Sequence, residues 1–137
     1  MANPKDVALI KNFVDRFKNG KGKMDAVDEL LDKDFVHHFA DPRLPSGIAG
    51  IKMIGGIIFS VFPDVHVEIE FVVQEGNIIA EHSVAHATHA GAFQDLQPTG
   101  KQVTWTENNI YRIKDGKIAE MWNCGDLLAI MYQIDVL

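Results

Sequence analysis

The part of the sequence richest in reactive groups lies between Lys101 and Gln133, where Glu107, Glu120 and Asp126 are interleaved with Trp105, Asn109, Tyr111 and Trp122. Carboxylates among aromatic rings suit general acid/base work, because burial disfavours the charged form and brings the carboxyl pKa towards the working pH. Asp126 stands directly before Leu-Leu-Ala-Ile-Met-Tyr-Gln, a short helical run, so it reads both as a helix N-cap and as a pocket carboxylate. Glu107 is the rival base, and two such groups close together titrate as a coupled pair. Asn109 can hold a substrate oxygen but cannot take a proton at neutral pH.

Six histidines raise the question of a metal. His82 and His86 are four residues apart on an expected strand, about 13 Å by the strand rise, too far to share an ion without unusual bending, so no metal is expected. They read instead as hydrogen-bond partners of the inward carboxylates, and His66 and His89 as surface or interface residues. The lone Cys124 excludes an intrachain disulfide, is compatible with a reducing compartment, and reads as strand packing.

The elements that must position these groups follow from hydrophobic period. Val103 to Ile113 alternates, placing Val103, Trp105, Glu107, Asn109, Tyr111 and Ile113 on one bulky face. Asp115-Gly116 supplies a type I′ turn, and counting outward pairs Ile113 with Ile118, Tyr111 with Glu120, Asn109 with Trp122, Glu107 with Cys124 and Trp105 roughly with Asp126. His66 to Val73 is a second alternating segment. A turn at Glu75-Gly76 would pair Phe71 with Ala80 and Ile69 with His82, turning His82, Val84, His86 and Thr88 inward; a longer loop there would invert the assignment.

Upstream, Asn3-Pro4 opens an amphipathic helix running to Gly20 through Ile10, Phe13, Val14 and Phe17. A shorter helix spans Met24 to Leu31. Asp34 to Phe39 is extended and ends at Asp41-Pro42, with His37 and His38 on opposite faces. Ile48 to Phe62 keeps helical spacing, and its glycines at 50, 55 and 56 permit close packing or leave room for a ligand.

With 137 residues, 47% hydrophobic, the chain fits one domain, residues 1–137, with helices first and a meandering sheet afterwards: an α+β fold whose curved sheet, closed by the N-terminal helices, makes a cone around a pocket. A net charge of −6 argues against nucleic acid, and neither a signal peptide nor a membrane span is indicated, so a cytoplasmic location is expected. The convex face of the sheet is free to form a dimer.

The segments FPDVHVEIE, EGNIIAEHSVAHATHAGAF and QPTGKQVTWTENNIYRIKDGKIAEMW, with Asp126 before Leu127-Leu128, resemble the SnoaL-like polyketide cyclases of the nuclear transport factor two-like superfamily. The resemblance spans about Asp34 to Gln133. It implies a cone-shaped, cystatin-like α+β barrel of antiparallel or mixed strands, a homodimer or homotetramer, and a deep pocket for a hydrophobic small molecule without metal or organic cofactor. It also implies that Asp126 matches the family's general acid/base for intramolecular aldol closure, and that His38, at the pocket mouth, matches a histidine contacting substrate oxygen. Trp105, Glu107, Asn109, Trp122, His82 and His86 would line the substrate site. The chain departs from the pattern at Asn109, where many members carry histidine. The alternative is a non-catalytic small-molecule binding protein on the same scaffold. Epoxide hydrolysis is weaker, since it wants an Asp-Arg-Asp set and Arg112 is expected to point outward.

Overall fold

The computed structural model describes residues 2–20, 23–38 and 42–136. The expected end of the first extended segment, at Phe39 and Asp41, lies outside them.

Helix α1 (Pro4–Phe13) starts where the Asn3 side chain accepts from the N–H groups of Lys5 and Asp6, with proline at the first turn. It continues as a π-helical turn, Val14–Lys18, closed by the Asn19 N–H on the Val14 carbonyl at 2.8 Å. Helix α2 (Asp25–Leu30) gives way at Leu31 to strand β1 (Leu31–His38), because Leu31 pairs with Ile118. Then follow α3 (Ile48–Val61), β2 (His66–Glu75), β3 (Ile78–Thr88), β4 (Gln102–Lys114), β5 (Lys117–Gly125) and α4 (Leu127–Gln133).

The fold is α+β, with an open five-stranded sheet in the order β1-β5-β4-β3-β2. Strand β1 runs parallel to β5 and the other neighbours are antiparallel, so the sheet is mixed. Its inner face packs on the helices. Phe13 stacks on Phe17 at 5.3 Å and meets Tyr111 edge-on at 6.3 Å, joining α1 to β4 at the centre of the core. Asn19 then locks the end of the π turn onto β2, accepting from Val67 N–H at 2.6 Å and donating to its carbonyl at 2.9 Å.

The inward face of β4 is as expected: Val103, Trp105, Asn109, Tyr111 and Ile113 are buried and Glu107 nearly so. A bulge in β5 and a one-residue shift of the β2–β3 turn overturn the expected faces of its neighbours. In β5 the register begins Lys114–Lys117 and Ile113–Ile118, but Ala119 is an extra residue, after which Arg112 faces Glu120, Tyr111 faces Met121 and Asn109 faces Asn123. One inserted residue reverses a strand of period two, so Glu120 and Trp122 point outward and Met121 and Asn123 inward. Because β1 pairs His37 with Met121 and His38 with Trp122, His37 is the buried histidine and His38 lies outside.

The β2–β3 turn is Gly76-Asn77, with Glu75 opposite Ile78, and not Glu75-Gly76. Gly76 has φ +59° while Asn77 is not left-handed, which is the type II′ placement of glycine. This one-residue shift puts Glu81, Ser83, Ala85 and Ala87 inward and turns His82 and His86 outward. A bulge at Glu70 then divides β2: Val67 and Ile69 face the core, whereas Phe71 and Val73 face solvent.

Asp115 and Gly116 both take positive φ, 50° and 75°, as the type I′ turn requires. Gly116→Ala is therefore expected to destabilise the fold by about 1 kcal/mol, read as a lowered urea midpoint with unchanged slope.

Candidate functional site

A cavity of about 510 Å³ lies between the helices and the inner face of the sheet. Its walls are mainly apolar: Phe13 and Phe17 from α1 and its π turn, Ile51, Ile54 and Phe59 from α3, and Trp105 from β4. Leu127 and Ile130 of α4 contribute to the same lining. Gly55 is part of it because a Cβ there would meet the Phe17 ring at 2.6 Å, so the α3 glycine allows the aromatic wall its place.

Into this wall the π turn brings Lys18, whose Nζ donates to Glu107 Oε1 at 3.1 Å; both side chains are largely buried, 13% and 14% exposed. Burial works against the Lys18 charge, but attraction to Glu107 and Glu81 outweighs it, and the pKa is raised above its usual value. Lys18 therefore remains an ammonium group, able to donate to an oxygen that gains charge.

Behind the wall lies a buried polar cluster. Glu81, 2% exposed, accepts from the Tyr111 hydroxyl at 2.6 Å, from the Ser83 hydroxyl, and from Asn109 Nδ2 at 3.3 Å. Asn109 Oδ1 accepts from Asn123 Nδ2, and Asn123 lines the cavity. Burial pushes the Tyr111 phenol well above its ordinary pKa, with the neighbouring Glu81 charge adding to the effect, so it stays a donor.

His37 also lines the cavity. Burial first, then the positive charges of Lys18 and His38, hold its pKa down to about 4 from the ordinary 6.5. Between those values the unfolded chain binds a proton that the folded chain refuses, so stability falls as pH drops through that window and levels off below it. The expected loss is about 2–3 kcal/mol, taken as the difference in urea unfolding between the wild type and His37→Gln at about pH 7 and pH 4.5.

Asp126 is exposed to solvent beside the cavity and is not itself one of its lining residues. Its flanking residues Gly125 and Leu127 both line the cavity, its N–H donates to the Thr106 carbonyl at 3.0 Å, and its Oδ1 caps α4 by accepting from Ala129 N–H at 3.0 Å. Its Oδ2 makes no hydrogen bond among the described residues. The neighbouring Gly125 lies opposite Glu107 in the sheet.

Of the residues singled out from sequence, Trp105 and Glu107 line the cavity, Asn109 stands one hydrogen bond behind it, and Asp126 is exposed beside it. Four are elsewhere. His38 stacks on Trp122 at 4.9 Å and bonds Glu120 at 2.6 Å on the outer face, where Arg112 also reaches Glu120 at 2.8 Å. Both partners hold the Glu120 pKa below its usual value, the Arg112 bond first. His82 lies against Phe71 and bonds Asn108 at 2.7 Å, and His86 bonds Thr104, again outside. Cys124 is exposed at the cavity edge and is not packed within the strand. With Arg112 on the outer face, no Asp-Arg-Asp set lines the cavity among the described residues.

Lys18, His37, Glu81 and Asn123 were not anticipated. Glu81 was accessible from the order Ile79, Glu81, Ser83, Ala85, Ala87, had Gly76-Asn77 been taken as the turn. Asn123 requires the Ala119 bulge, and Lys18 reaches the cavity wall at the end of the π turn. Among the described residues, no three His, Cys, Asp or Glu side chains are placed to hold a metal, and no helix is long and apolar enough to cross a membrane.

An open mixed sheet closed by helices over an apolar cavity is the architecture of the cone-shaped α+β class. The family model for SnoaL-like polyketide cyclases matches residues 8–134, and the chain belongs to that family. AclR, a candidate hydroxylase from Streptomyces galilaeus, is 25% identical with a TM-score of 0.87, over 99% of this chain and 88% of that one. IdmH, a candidate polyketide cyclase from Streptomyces antibioticus, is 28% identical with a TM-score of 0.83, over 95% and 98%. A candidate SnoaL-like polyketide cyclase from Jannaschia sp. CCS1, at 23% identity and a TM-score of 0.81 over 100% and 98%, shares the fold. No curated protein sequence matches the chain.

Proposed function

We propose that this protein is a cofactor-independent cyclase that closes a ring in a hydrophobic, polyketide-like carbonyl compound by intramolecular aldol chemistry, with Asp126 as general acid/base. The observation that carries the reading is the position of Asp126 between two cavity-lining residues, with one carboxylate oxygen spent on the α4 cap and no bond to the other among the described residues. Asp126 takes a proton from a carbon beside carbonyl groups, and the electron pair moves onto the carbonyl oxygen as an enolate. The enolate carbon attacks a second carbonyl carbon of the same molecule, forming the C–C bond, and the resulting alkoxide recovers the proton from Asp126. The Lys18 ammonium supplies donors for the oxygen that gains charge, while Glu107 holds it in place. The apolar walls fold the chain of the substrate and exclude water.

The same groups also suit a non-catalytic binding protein, because Glu107 is neutralised by Lys18 and Asp126 is already a cap. Incubating the protein with a polyketide-like ester and following ring closure by absorbance decides between them: no turnover, with apolar ligands still binding, favours the second reading. The exposed Phe71 and Val73 on the outer face, each 59% exposed, support a homodimer through that surface. A cytoplasmic location is part of the same reading, and the free Cys124 thiol is compatible with a reducing compartment.

A further inference from the structure

The buried polar cluster has a direction. The Glu81 end of the cluster consists of acceptors: its two carboxyl oxygens accept from two hydroxyls and an amide nitrogen. Asn109 is completely buried and turns its Nδ2 to Glu81, which leaves its Oδ1 facing the other way. That oxygen in turn requires a donor, and takes Asn123 Nδ2. At the last link the choice of amide face is no longer free. With its nitrogen committed inward, Asn123, an exposed residue of the cavity lining, has Oδ1 left over, and this atom has no bond among the described residues.

We infer that Asn123 is a specificity-determining residue whose Oδ1 accepts from a hydroxyl group of the ligand, an enol or a phenol, and that Glu81 is a positioning residue fixing this polarity through Asn109. The inference rests on the small-molecule reading of the cavity and names the substrate class more narrowly: a hydrophobic carbonyl compound that also carries an O–H donor. The two needs are met at successive inward steps of β4. Glu107, with Lys18 on it, is two residues from Asn109, with Asn123 opposite, about 7 Å by the strand rise. Lys18 donates to a carbonyl oxygen, and Asn123 accepts from the hydroxyl.

The test uses equilibrium binding, so it does not depend on turnover. An acetylnaphthol with its hydroxyl remote from the acetyl group and its methyl ether share ring and carbonyl and differ by one methyl group, and only the first has the O–H donor; both are fluorescent and respond to an apolar site. The wild type is expected to bind the acetylnaphthol about tenfold more tightly than the ether. Asn123→Leu is expected to bring the ratio to about one by weakening the naphthol while the ether still binds. Glu81→Gln, whose amide can donate as well as accept, is expected to shrink the ratio with Asn123 still in place. If the two probes bind the wild type equally, or Asn123→Leu keeps the preference, the assignment of Asn123 is overturned while the pocket reading survives. If Glu81→Gln, still folded by circular dichroism, leaves the ratio unchanged, the directional role of Glu81 is overturned. If neither probe binds, the pocket reading itself fails and takes this inference with it.

Discussion

Asp126→Asn is expected to lower turnover of a cyclisable polyketide-like ester by about 10²–10⁴-fold, the usual contribution of a positioned acid/base group. It is expected to do so without a matching loss of stability. Asparagine is as good an N-cap as aspartate, so the bond from Ala129 N–H survives the change, and the fold keeps α4 in place. Asp126→Ala removes proton transfer and cap together, and is expected to cost about 1 kcal/mol of stability in addition. The comparison of kcat and melting temperature across the three proteins separates the two duties of this residue. Turnover that persists in Asp126→Asn would move the base to Glu107, on the adjoining strand.

The second large effect concerns the ion pair in the cavity wall. Glu107→Leu leaves the Lys18 ammonium largely buried without its partner, and is expected to destabilise the fold by about 3–5 kcal/mol. Replacing both ends, Lys18→Met with Glu107→Leu, is expected to recover most of that loss, because removing a desolvated pair costs much less than breaking one. Urea unfolding of the two single variants and the double variant measures the coupling. A double variant as unstable as Glu107→Leu alone would mean that the two residues act on stability separately. Ring closure is expected to be lost in the recovered double variant, since the oxygen that gains charge no longer has a donor.

The architecture was legible in residue order. Alternation in β4 and the Asp115-Gly116 turn are local signals that produced the elements expected of them, and the helical spacing of Ile10 and Phe13 gave α1, which passes into a π turn at Val14. The cavity followed, because Trp105, Glu107 and Asn109 share a face that is too polar for a closed core and too aromatic for open solvent. The partners of that face were another matter. Whether His37 or His38, Trp122 or Asn123, and His82 or Glu81 turns inward depends on a single inserted residue in β5 or a one-residue shift in a turn. Such choices are decided by sheet-wide packing and leave little trace in the residues themselves. The family resemblance matches Asp126 and His38 to site positions; Asp126 is exposed between two cavity-lining residues, and His38 is held outside by its parallel pairing with Trp122.

Asn19 shows how one side chain can close an open boundary. Strand β2 is the last of the sheet, so the outward N–H and carbonyl of Val67 would offer a template to any extended peptide. The Asn19 carboxamide fills that template by imitating a peptide unit. The same plug that anchors the lysine-bearing turn thus withdraws the Val67 peptide groups from pairing with another strand at this end of the margin.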